Sequence, residues 1–108
     1  METRTDPTPT VTATTTVSPT SGEPYIYHQD PSHGWLAVPA QQVRALGLTP
    51  TRYSYSRAAM LYLEEDCDMP AFMNAFRVRY HRAPRITDAH SNYDSPIRRF
   101  PRCSGART

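Results

Sequence analysis

The apolar positions of this chain change period several times between residues 25 and 100, and each change marks an element. Tyr25, Ile26 and Tyr27 make one short apolar run and residues 35–38 another, separated by Asp30, Pro31, Ser32, His33 and Gly34. Two extended runs joined by such turn formers predict a β-hairpin. Pro39 fits a first helical position, Ala40, Val43 and Leu46 share a face, and Gly47 fits the helix end, so a short first helix is expected. Tyr53 and Tyr55 alternate with Ser54 and Ser56, and the run Met60, Leu61, Tyr62, Leu63 follows after Arg57, Ala58 and Ala59. That pattern predicts a second hairpin with a buried later strand. Asp68 is placed to cap a second helix, with Pro70 in its first turn and Met69, Phe72, Met73, Phe76 and Tyr80 on one stripe. Residues 85–90 read as a last strand and 91–96 as a polar loop.

The order ββαββαβ predicts a small α+β domain over residues 25–102, a largely antiparallel sheet with one or two helices packed on one face. A single core is expected from Trp35, Leu36, Val38, Val43, Leu46, Leu61, Leu63, Phe72, Met73, Phe76 and Ile86. The 108 residues suffice for one such domain and not for two. Residues 1–24 are dominated by Thr, Pro, Ser and Val, which bury too little to offset a backbone entropy of ~1–2 kcal/mol per residue. A disordered tail is predicted there, and residues 103–108 are expected to be loose. No run approaches the roughly 18 apolar residues of a membrane-spanning helix. Glu2 and Asp6 stand where a signal peptide would carry its basic and apolar regions, so a cytoplasmic protein with Cys67 and Cys103 as free thiols is expected.

Charge changes this picture only in the last third. All 12 basic residues are Arg, and the net charge of +2 divides into −2 over residues 1–24, −2 over 25–68 and +6 over 69–108. The balance argues against an acidic mimic of nucleic acid. It leaves a nucleic-acid-binding surface as an alternative, carried by Arg77, Arg79, Arg82, Arg85, Arg98, Arg99 and Arg102 with Tyr80, Tyr93 and Phe100 interleaved. No RNA-recognition or helix-turn-helix signature accompanies them.

Three polar groups hold the remaining chemistry: residues 28–35, residues 64–68 and residues 90–98. His28, Asp30, His33, Glu64, Asp66, His90 and Asp94 are the residue types that ligate metals, but no HExxH, paired CxxC or EF-hand spacing organises them. Each also has a simpler local role: Asp30 before Pro31 forms a turn, Glu64 to Asp68 lead into a helix, and Asp94, Ser95 and Pro96 form another turn. Metal-dependent hydrolysis therefore ranks a distant third, with no metal or cofactor expected. Cys67 with a His base would make a nucleophile, but Glu64, Glu65, Asp66 and Asp68 crowd a thiolate with like charge. No catalytic residue is assigned, and Cys67 is expected to be a structural thiol.

Taken together, His28-Gln29-Asp30-Pro31-Ser32-His33-Gly34-Trp35-Leu36, Tyr53-Ser54-Tyr55, Tyr62-Leu63-Glu64-Glu65-Asp66-Cys67-Asp68 and Asp94-Ser95-Pro96-Ile97-Arg98 resemble the sequence blocks of a small uncharacterised family. Its blocks read HDPGHGWL, YSY, YLEEDCD and GDSPIR, and its members occur as short reading frames in phages, plasmids and bacteria. Here Gln29 interrupts the first block, Ser32 and Tyr93 replace glycines, and Ala58-Ala59 replace a Gly-Asp turn, which implies a looser second hairpin. The resemblance implies a non-enzymatic accessory protein that binds a host or phage protein. The polar contact surface is then expected from His28, Asp30, His33, Trp35, Asp94 and Arg98.

Overall fold

A computed structural model describes residues 23–103. Five strands form one sheet: β1 (Tyr25–Gln29), β2 (Gly34–Pro39), β3 (Tyr55–Arg57), β4 (Met60–Glu64) and β5 (Ile86–His90). Helix α1 (Ala40–Ala45) follows β2, helix α2 (Asp68–Tyr80) links β4 to β5, and a 3-10 turn (Pro96–Arg99) follows β5. The strand order is β3-β4-β2-β1-β5, antiparallel throughout except where β5 lies parallel to β1. The fold is thus the expected largely antiparallel α+β domain. The parallel pair follows from α2, which carries the chain across one face to the far edge of the sheet.

Local chemistry explains the boundaries. Asp30 accepts the backbone N–H groups of Ser32 and His33, both at 3.0 Å, which closes the β1–β2 turn. Gly34 leaves room for the Tyr27 side chain where β2 begins, since a Cβ there would lie 2.3 Å from the Tyr27 hydroxyl and force it to shift. Helix α1 starts after Pro39 and ends at Leu46, with Gly47 next in the left-handed conformation at φ 77°. Helix α2 ends the same way on His81, at φ 59°. The β3–β4 hairpin has a two-residue connection, Ala58-Ala59, with Ala58 at φ 56°. Without the glycine of the resembling blocks, Ala58 itself adopts the positive φ that a two-residue hairpin connection requires.

The expected single core is two clusters, one on each face of the sheet. Under α2, Tyr25, Leu36, Val38, Val43, Leu63, Phe72 and Phe76 are buried together, with Leu46, Leu61, Met69, Met73, Tyr80 and Ile86 packed at their margin. Tyr25 meets Phe72 and Phe76 edge-on, with centroids 5.4 and 6.2 Å apart. On the other face Trp35, Tyr55 and Ile97 are buried, flanked by Tyr62 and Phe100. Trp35 therefore leaves the α2 core: alternation along β2 points Leu36 and Val38 towards α2 and Trp35 away from it.

Two boundaries move outwards. Glu23, expected in the tail, accepts two hydrogen bonds from Arg82 at 2.8 and 2.9 Å and one from the Arg85 N–H at 2.9 Å. Cys103, expected to be loose, is buried and its N–H donates to the Ser54 carbonyl at 2.8 Å. Both belong to the domain. The tail expectation for residues 1–22 and the loose end for 104–108 lie outside the described residues. Among the described residues, no helix is long and apolar enough to cross a membrane.

Candidate functional site

The face opposite α2 is built by polar residues far apart in sequence. Asp30, whose side chain is fully buried, takes Arg98 in a two-pronged ion pair, with Nε at 2.7 Å and Nη2 at 3.0 Å. It also accepts the Ser95 N–H at 2.9 Å. One carboxylate thereby ties the β1–β2 turn to the C-terminal segment, where Ser95 caps the 3-10 turn through the Ile97 N–H. The Arg98 guanidinium and the backbone N–H groups hold the Asp30 carboxyl well below the usual carboxylate range, despite its burial. The other side of Arg98 lies over the Trp35 ring, 5.3 Å from its centroid.

A second buried carboxylate anchors the neighbouring loop. Asp68 accepts from the Thr51 N–H at 2.9 Å, from the Thr51 hydroxyl at 2.8 Å and from the Ser54 hydroxyl. The fully buried Ser54 in turn accepts the Glu64 N–H at 2.9 Å. Asp68 opens α2 but does not cap it, since its side chain is committed to residues 51 and 54. Nearby Cys103 has its thiol pushed up by burial and by the charge of Asp68.

Between these two anchors lies an open cleft of about 440 Å³, lined by His33, Trp35, Tyr53, Tyr55, Glu64, Asp66, Cys67, Arg98 and Arg102. It contains residues of all three polar groups singled out in the sequence. Trp35 and Tyr55 meet at 6.1 Å between ring centroids and form its floor, with Arg102 over Tyr55 at 4.9 Å. Tyr53, 55% exposed, stands at its rim.

The residues expected to make a partner contact are thus divided. His33, Trp35 and Arg98 line the cleft, whereas Asp30 lies buried behind it and frames the site without reaching its surface. Trp35 is itself only 1% exposed and serves as floor. His28 lies on the same face against Tyr62, at 6.1 Å between rings, and burial pushes its imidazole down. Asp94 is exposed outside the cleft lining. Tyr53 and Tyr55 were not expected at a contact surface, and Arg102 was expected only in the alternative nucleic-acid-binding set. Tyr55 opens β3 and Tyr53 stands in the turn just before it, and their alternation with Ser54 and Ser56 was the available signal.

The arginines expected to form one basic surface are separated by the sheet. Arg77 and Arg79 project from α2, and Arg82, paired with Glu23, lies over Phe76 at 5.1 Å. Arg98, Arg99 and Arg102 belong to the segment covering the other face, and Arg98 is already neutralised by Asp30.

Chemically, the cleft offers cations, carboxylates and aromatic surface without an assembled catalytic set. Cys67 is exposed, and its thiol accepts from the Thr51 hydroxyl at 3.8 Å. No hydrogen bond joins it to His33 among the described residues. Glu64 accepts the Asp66 N–H at 3.0 Å, the local turn role expected of these acids. Among the described residues, no three His, Cys, Asp or Glu side chains are grouped to hold a metal ion. No family model, curated protein or solved structure matches the chain.

Proposed function

We propose that this protein is a non-enzymatic accessory module of a phage or other mobile element, acting in the cytoplasm, and that it binds a host or phage protein through the cleft. The observation that carries this reading is convergence. Each of the four sequence blocks behind the family resemblance contributes to the lining: His33 and Trp35 from the first, Tyr53 and Tyr55 from the second, Glu64, Asp66 and Cys67 from the third, and Arg98 from the fourth. Trp, Tyr and Arg are also the side chains that dominate binding energy at protein interfaces. Anchoring by Asp30 and Asp68 holds them in place before a partner arrives, which lowers the entropy lost on association.

Nucleic-acid binding has less support, because its seven arginines fall on opposite faces and two of them are paired with acids. Capture from a host lysate by the full-length protein, with and without nuclease, separates the two readings. The proposal predicts the same captured protein in both arms, lost in Tyr53→Ala and Asp66→Lys, which alter exposed cleft residues without touching the core. Capture that nuclease abolishes, or steep salt-dependent binding to generic DNA, would replace it with the nucleic-acid reading.

A further inference from the structure

A second concavity lies on the same face of the sheet and shares no lining residue with the cleft. It is a shallow groove of about 400 Å³, lined by Arg57, Pro96, Arg99, Phe100 and Pro101. No acid lines it. Among the described residues, neither Arg57 nor Arg99 has a carboxylate partner, in contrast to Arg82 and Arg98. Arg57 lies over the Phe100 ring at 5.1 Å, while Arg99 is exposed at the end of the 3-10 turn.

We infer that this groove docks an acidic protein segment in which Asp or Glu side chains alternate with apolar ones. Two unneutralised guanidinium groups offer paired N–H donors that match carboxylate geometry. Between them, two prolines and the edge of Phe100 provide apolar contact, and the fixed φ of proline makes that surface preformed. Single-stranded nucleic acid fits less well, because base stacking requires an open aromatic face. Phe100 has Arg57 over its ring and Tyr62 tilted against it at 5.1 Å between centroids, so a stacking base would compete with groups already in contact with the ring.

The test uses the full-length protein and three fluorescein-labelled probes: a short peptide of alternating glutamate and leucine, the same peptide with lysine for glutamate, and a short oligothymidylate. The glutamate peptide is expected to bind, more weakly as salt rises, and the other two are not. Arg57→Gln with Arg99→Gln should weaken binding about fivefold or more. Arg99→Gln alone should account for part of that loss with an unchanged unfolding midpoint, since its exposed side chain has no hydrogen-bond or ion-pair partner among the described residues. Tyr53→Ala should leave the affinity unchanged, which separates the groove from the cleft. The inference is overturned if the glutamate peptide does not bind, if the double variant binds it as well as the parent protein, or if the oligothymidylate binds equally tightly through the same arginines.

Discussion

The two faces of the sheet are covered by different means. Under α2, burial is almost wholly apolar, with Tyr25, Phe72 and Phe76 in ring contact over Leu36, Val38 and Leu63. On the opposite face the buried apolar cluster is the smaller set Trp35, Tyr55 and Ile97, and the covering segment is fastened by charged hydrogen bonds to Asp30. The comparison teaches that one face specifies the fold while the other positions exposed groups. Non-directional burial stabilises without fixing individual side chains, whereas an ion pair between planar groups fixes geometry.

The largest effect that could break this comparison lies under α2. Phe76→Ala should destabilise by ~3–5 kcal/mol, measured by denaturant unfolding, a large share of the total stability of so small a domain. A folded variant with an unchanged midpoint would place that stripe outside the core.

Next comes the opposite face. Asp30→Ala should cost about 3 kcal/mol, because it leaves Arg98 and the Ser95 N–H without their shared acceptor. Its pH signature is specific. The Asp30 carboxyl is held below its ordinary value of 3.8, so its contribution is complete above the carboxylate range and is lost as pH falls through it. His28, whose imidazole burial pushes below 6.5, adds a shallower loss as pH falls past that value, since its charged form is disfavoured in the fold. Asp30→Asn should therefore flatten the acid limb of the stability profile and leave the His28 step in place.

The contrast also explains what the sequence made legible. Phe72, Met73 and Phe76 stand at helical spacing, so α2 and its buried stripe follow from periodicity. Tyr25, expected in a strand but not in the core, is 1% exposed and bonded to Gln42. Trp35 was assigned to the right class of position on the wrong face, because every residue from Gly34 to Val38 is buried and no polar alternation marks the two sides of β2. Ile97 stands in a polar loop that carries no period. The Asp30–Arg98 and Asp68–Ser54 contacts join residues 68 and 14 positions apart, and local rules assigned both acids to turns and caps. Such pairings depend on which strands meet, which single-residue patterns do not encode.

Smaller effects sharpen the boundary of the domain and the character of the cleft. Glu23→Ala should cost about 1 kcal/mol, read as a lowered unfolding midpoint, because Arg82 is 32% exposed and water can replace its partner. Cys67→Ser should change stability by less than about 0.5 kcal/mol, since the thiol is exposed. Slow alkylation by iodoacetamide near neutral pH is expected with it, and rapid alkylation would restore a nucleophilic role.

The central claim is that the Asp30–Arg98 pair fastens the face that carries the cleft. A double-mutant cycle with Asp30→Asn and Arg98→Gln, read by urea unfolding through the fluorescence of the single tryptophan, tests it directly. The account predicts a coupling energy of at least about 1.5 kcal/mol, whereas additivity within about 0.3 kcal/mol would contradict it.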